Sequence, residues 1–201
     1  MGRLFVVSGP SGAGKTTLTR RLLALVSELS YSVSYTTRPP RPGEEDSRDY
    51  FFISRSDFQD MIENNAFLEW AEVFGRFYGT GRSWVEDRLA EGRDVLVDID
   101  IAGAKQIKTR FPQAVFIFVV PPSLEELEHR LLSRQTETEA QRQERLGRAR
   151  VEIESRTMYD YLIVNDEVER ASADLTALLR AERLRLARSE KFWDQFFPKP
   201  K

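Results

Sequence analysis

Cysteine is missing from all 201 residues, which excludes disulfides and thiolate-bound metals and makes a reducing compartment, the cytoplasm, the simplest home. Histidine is nearly as scarce: His129 stands alone beside Arg130 and is assigned no role. Neither charge dominates, with 30 Lys and Arg against 32 Asp and Glu and a formal net charge of −2. A global basic field of the kind that grips duplex nucleic acid or anionic lipid is therefore excluded, so any anion must be held by a local cluster. Long apolar runs are missing too. The N-terminal stretch Leu4-Phe5-Val6-Val7 is too short for a signal segment or a membrane span and reads as a strand. Repeats and low-complexity tracts are also lacking. A chain with 41% apolar and 31% charged residues reads as globular and long enough for one compact α/β domain with insertions.

What is present alternates between strand and helix patterns. The run at residues 4–7 ends in Ser8-Gly9-Pro10, and residues 16–29 then place Leu18, Leu22, Leu25, Val26 and Leu29 at helical spacing. Apolar runs at 95–99, 115–120 and 161–164 are each followed by a helical pattern, opening near Ala102, Ser123 and Glu167. This alternation predicts a parallel sheet covered by helices on both faces. Two stretches break the rhythm. Residues 34–88 are rich in Arg, Tyr, Phe and Gly, with Pro39, Pro40, Pro42 and Gly43 opposing an early helix, and read as an inserted lobe. Residues 135–150 are almost purely polar and read as a helical lid. The core is then 1–33, 89–134 and 151–190. A final helix near 171–186 precedes a tail, 191–201, whose Phe192, Trp193, Phe196 and Phe197 suit packing onto the chain's own fold, or a subunit contact.

Between the first strand and helix stands Gly9-Pro10-Ser11-Gly12-Ala13-Gly14-Lys15-Thr16, the spacing of a phosphate-binding P-loop. Its glycines let successive backbone N–H groups turn inward, so that an anion meets several donors and the positive end of the following helix. Lys15 would span the β- and γ-phosphates of ATP, and the Thr16 hydroxyl would ligate Mg²⁺. A second element, Val95-Leu96-Val97-Asp98-Ile99-Asp100, ends a strand in two carboxylates where ligands bind in parallel sheets. One of them would hold Mg²⁺ through water. For Asp100, capping the next helix is the other reading.

The remaining segments resemble the guanylate kinase family. The resemblance rests on Ser34-Tyr35-Thr36-Thr37-Arg38-Pro39-Pro40-Arg41-Pro42-Gly43-Glu44, Asp49-Tyr50-Phe51-Phe52, Phe67-Leu68-Glu69-Trp70-Ala71, Tyr78-Gly79-Thr80 and Leu162-Ile163-Val164-Asn165-Asp166. It extends from the P-loop across essentially the whole chain. It implies transfer of the γ-phosphoryl group of ATP to GMP and dGMP with Mg²⁺, in purine nucleotide metabolism. Ser34, Arg38, Arg41, Tyr50, Glu69, Tyr78 and Thr80 would bind GMP, with Asp98 and Asp100 beside it and Asp100 near the metal. Gly9 to Thr16, Thr17 and Asn165 would bind ATP.

Elementary chemistry supports the acceptor set. A monophosphate needs fixed cations and hydroxyl donors, which Arg38, Arg41, Tyr50 and Tyr78 provide. Guanine needs an acceptor for its N1 and N2 hydrogens, which Glu69 is, and donors toward O6, which Ser34 and Thr80 are. Arg130 and Arg134 lie four apart and Arg145 and Arg148 three apart, so each pair can share a helix face. Arg134 and Arg145 are expected to close over the phosphates, as the resemblance also implies; a solvent-exposed helix face is the other reading of these arginines. Two departures from the family pattern stand out: Ala102 where glutamine is usual, and Gln135 where glycine is usual. Domains of this fold that grip phosphopeptides typically lack an intact P-loop, and a kinase for ribose phosphates has no use for Ser34, Glu69 and Thr80 together.

Overall fold

The computed structural model describes residues 2–73 and 75–132, Gly147, Ala149, residues 151–188, Trp193 and Phe197. Among them, five parallel strands form the central sheet: β1 (Leu4–Ser8), β2 (Leu29–Tyr31), β7 (Asp94–Asp98), β8 (Val115–Val120) and β9 (Tyr161–Val164), in the order β2-β7-β1-β8-β9. The apolar runs of β1, β7 and β8 are continuous because both faces are covered, whereas edge strand β9 leaves Leu162 and Val164 exposed; alternate side chains leave on opposite faces. Phe5 and Val7 join Leu96, Ile117 and Val119 on one face, under Leu18 and Leu22 of α1 (Lys15–Leu25) and Leu175 and Leu179 of α6 (Val168–Arg183). Leu4 and Val6 join Val95, Val97 and Phe116 on the other, under Val85 and Leu89 of α3 (Arg82–Ala90) and Ala104 and Ile107 of α4 (Ile101–Arg110). The chain passes from one side of β1 to the other between β7 and β8, so the crevice at their C-terminal ends is a topological switch point, where ligands bind in such sheets.

Helical spacing extends the first helix to Leu29, but α1 stops at Leu25. Val26 is extended and Glu28 has φ 60°, a left-handed turn that reverses the chain and lays Leu29–Tyr31 beside β7. Leu29 still packs against the core, which is why its spacing imitated another helical turn.

The inserted residues form a second sheet in the order β4-β3-β6-β5, made of β3 (Tyr35–Thr36), β4 (Phe51–Phe52), β5 (Phe67–Val73) and β6 (Arg76–Gly81). Its core is aromatic: Phe58 stacks on Phe67 and Phe77 with centroids 4.3 and 5.3 Å apart. Phe58 comes from α2 (Arg55–Glu63), which Ser54 and Asp57 open with a reciprocal capping box. This sheet is anchored to the main core by Leu68, fully buried there, and by the run of β6 straight into α3.

α5 (Leu124–Leu132) follows β8, and Ala149 packs on its Leu127 and Leu131. Arg134, Gln135, Arg145 and Arg148 lie outside the described residues, as do Phe192 and Phe196. Of the tail, the rings of Trp193 and Phe197 stack on each other at 6.0 Å.

Candidate active site

The P-loop joins β1 to α1, and two of its glycines are fixed by close approach. A Cβ on Gly9 (φ 155°) would lie 2.0 Å from the Val119 carbonyl oxygen, and one on Gly14 (φ 86°) 2.2 Å from Asn165 Nδ2. Only glycine lets the loop press against β8 and accept the Asn165 amide. That amide donates to the Ala13 carbonyl at 2.7 Å, while its Oδ1 is buried without a partner and is available to a donor. Arg130 of α5 in turn donates to the Asn165 carbonyl at 2.9 Å. Lys15 folds over the loop, its ammonium donating to the Gly9 carbonyl at 2.9 Å. Ser11, Thr16 and Thr17 are exposed at the mouth.

Thr16 Oγ1 donates to Asp98 Oδ2 at 3.4 Å. Burial pushes the Asp98 carboxyl up, opposed by the charge of Lys15 and the Thr16 hydroxyl. A hydroxyl and a carboxylate at the foot of a phosphate loop are hard oxygen donors of the kind Mg²⁺ takes, together with phosphate oxygens and water. Asp100 does something else: it is the N-cap of α4, with Oδ1 accepting from Gly103 N at 2.7 Å.

The residues expected to bind the acceptor lie on and beside the sheet of the insertion. Glu69, 4% exposed, accepts a 2.6 Å hydrogen bond from the Thr80 hydroxyl, itself fully buried. Burial and, secondarily, the neighbouring Asp100 raise the Glu69 carboxyl to about 7, against the Thr80 hydrogen bond and the charge of Arg110. Gly103 makes room for that carboxylate, since a Cβ there would lie 2.3 Å from Glu69 Oε2. Arg38 is held in a bidentate pair by Glu44 at 2.7 and 2.8 Å and lies over the Tyr50 ring, 5.0 Å from its centroid. The hydrogen bond to Arg38 holds Glu44 below the usual carboxylate range. Glu44 also accepts from the Arg41 backbone N–H at 2.7 Å, closing the turn that carries both arginines. Tyr78 meets Tyr50 edge-on at 6.1 Å. Burial, and then the charge of Asp98, push the Tyr50 phenol up. Ser34 enters through its backbone, its carbonyl accepting from Phe51 N at 2.9 Å.

Several functional neighbours escape a reading by residue type. Glu44 carries a usable signal, an acid that follows a Pro-Gly turn just after two arginines. Asp49, which receives Arg20 of α1 at 2.9 Å and so ties the insertion to the core, carries no such signal.

A P-loop set at the switch point of a parallel sheet, facing a second lobe with paired arginines and tyrosines, defines a P-loop phosphotransferase of the nucleotide kinase kind. The sequence profile of the family described as guanylate kinase matches residues 1–182. The chain is 52% identical over 187 residues to the guanylate kinase of Desulfitobacterium hafniense, covering 93% of this chain and 94% of that one. It is 50% identical over 183 residues to that of Dechloromonas aromatica, covering 91% of each. The crystal structure of guanylate kinase from Anaplasma phagocytophilum superposes with a TM-score of 0.81 at 34% identity, over 100% of this chain and 97% of that one. The chain belongs to the guanylate kinase family.

Proposed function

We infer that this protein transfers the γ-phosphoryl group of ATP to GMP, and to dGMP, giving ADP and the guanosine diphosphate. The observation that carries the reading is that the buried Glu69–Thr80 pair packs on Gly103, just past the C-terminal end of β7, whose Asp98 accepts from Thr16 of the P-loop. ATP lies along Gly9, Pro10, Ser11, Gly12, Ala13, Gly14, Lys15, Thr16 and Thr17, with Asn165 beside the loop. Thr16 and Asp98 would hold Mg²⁺, which when bound neutralises phosphate charge; Asp100, turned to its helix cap, reaches it only through water. GMP lies with its phosphate on Arg38, Arg41, Tyr50 and Tyr78 and its base on Glu69, Thr80 and Ser34. Lys15, Arg38 and Arg41 spread the charge that develops on the transferring group, and Arg134 and Arg145 add to it by closure of the lid. No general base is needed beyond the acceptor phosphate oxygen itself.

Adenine would set a ring nitrogen lone pair against the Glu69 carboxylate, and a buried unpaired group of that kind rejects a ligand by several powers of ten. We assign 1–33, 89–134 and 151–190 to the core, 34–88 to the GMP lobe, 135–150 to the lid and 191–201 to the tail. A cytoplasmic location accords with the absence of cysteine and with the lack, among the described residues, of any helix long and apolar enough to cross a membrane. A coupled assay of ADP release, run with ATP and Mg²⁺ against a panel of nucleoside monophosphates and sugar phosphates, tests the reading. Turnover with GMP and dGMP supports it, and turnover with another acceptor while GMP is inert refutes it.

A further inference from the structure

Glu69 is reached through a β-bulge. Phe67 pairs with Gly81 and Glu69 with Thr80, so Leu68 is the extra residue. In a regular strand neighbours leave on opposite faces. Here Phe67 and Trp70 pack in the aromatic core of the lobe, whereas the consecutive Leu68 and Glu69 both turn toward the main core, Leu68 into its apolar cluster and Glu69 onto Gly103. The bulge is what aims the carboxylate.

Such a kink leaves backbone groups out of the ladder, and β5 is also an edge strand of its sheet. Helix α4 of the core meets these groups, with Arg82 of α3 sharing the Phe67 carbonyl at 3.2 Å. Arg110 Nη1 donates to the Leu68 carbonyl at 2.6 Å and to the Phe67 carbonyl at 3.2 Å. Gln106 grips the next free peptide groups both ways, Nε2 donating to the Trp70 carbonyl at 2.6 Å and Oε1 accepting from Trp70 N at 3.3 Å. Gly103, Gln106 and Arg110 lie at i, i+3 and i+7, one face of α4, and together they meet residues 67–70 on both sides of Glu69.

We propose that Gln106 and Arg110 are positioning residues for acceptor-base specificity: they pin the bulged strand so that Glu69 stays on the guanine edge, without touching the nucleotide themselves. The proposal rests on the reading of Glu69 as the guanine partner. The groups facing Glu69 are the Thr80 hydroxyl from β6, Asp100 at the N-cap of α4 and Arg110 from α4 itself, and the Arg110 charge favours the ionised carboxylate against its burial.

The test compares Gln106→Leu, Arg110→Met and Arg110→Lys in the full chain, with Glu69→Gln as the control. For each, kcat and KM are measured for GMP and IMP, together with KM for ATP, across pH 6 to 9. Gln106→Leu and Arg110→Met should raise KM for GMP about tenfold, the effect of one lost hydrogen-bonded contact, and shrink the preference for GMP over IMP, which lacks the 2-amino group. KM for ATP should not move. In Arg110→Met the acid limb of kcat/KM for GMP should shift to higher pH, and Arg110→Lys should restore it. Unchanged GMP kinetics, or equal losses for ATP and GMP alongside a lower melting temperature, would overturn the proposal while the control still lost GMP. A Glu69→Gln control that uses GMP normally would bring down the base-pocket reading, and the clamp with it.

Discussion

The donor and acceptor halves of the crevice are built on different plans. In the proposed site the donor half is eight consecutive residues offering backbone N–H groups and the Lys15 and Thr16 side chains, and its shape follows from glycines at fixed offsets and from the strand and helix on either side. The acceptor half is made of side chains spread over residues 34–80, and their aim depends on props elsewhere in the chain. Arg38 is set by Glu44, and Glu69 by Thr80 and the Gly103 face of α4. A phosphate is recognised by donors of almost any origin, provided they converge. A base edge is recognised only by the right atoms in register, so the acceptor half carries the greater burden of positioning.

That contrast can be broken at either end. The largest effect should come from Lys15→Met, which removes the fixed charge at the transferring group and should lower kcat by about 10³-fold with KM for GMP little changed; single-turnover measurements check it. Next, Gly103→Ala adds a methyl into the Glu69 carboxylate, and an aim spoilt by about 1 Å should cost about 10²-fold in kcat/KM for GMP, with ATP affinity retained in titration calorimetry.

A smaller effect is set by pH. Because the Glu69 carboxyl is raised to about 7, the folded protein holds a proton there below that pH and loses the acceptor that guanine requires. KM for GMP should therefore rise about tenfold per unit as pH falls below 7, and Glu69→Gln should abolish that limb. Stability runs the opposite way. A raised carboxyl means that the native state binds more protons than the unfolded chain between the ordinary glutamate range and about 7, so this residue's contribution to stability is lost as pH rises through that window. Glu69→Gln should remove that loss, so its gain in melting temperature should be greater at pH 8 than at pH 5.

The smallest effect on activity belongs to the other end of the sheet. Asp94, buried at the start of β7, accepts from the Arg3 backbone at 2.9 Å and pairs with Arg183 at 2.8 Å and Arg188 at 2.5 Å. Asp94→Asn should cost about 2 kcal/mol, read as a lower melting temperature, with both KM values unchanged.

How much of this was legible in the sequence follows the same division. The P-loop, the parallel sheet and the strands at 95–99, 115–120 and 161–164 were readable because their signals are local: glycine offsets, unbroken apolar runs and helical spacing. The edge strand Leu29–Tyr31 was not, since the left-handed turn at Glu28 leaves no mark of its own and Leu29 keeps the helical period. Residue type and family pattern nominated Glu69 and Thr80, and the structure sets them in contact. Which aspartate meets Thr16 was beyond reach from spacing alone, because the strand ends at Asp98 and Asp100 turns to cap α4. The clamp of Gln106 and Arg110 on β5 spans about forty residues of chain, and no local pattern encodes a contact at that range.

The division of labour between the halves is tested most directly by Glu69→Gln, with steady-state kinetics for GMP and equilibrium titration of ATP and Mg²⁺ on the same preparation. The predicted result is a loss of about 10²-fold or more in kcat/KM for GMP with ATP affinity unchanged. Equal losses on both nucleotides, or none on GMP, would contradict it.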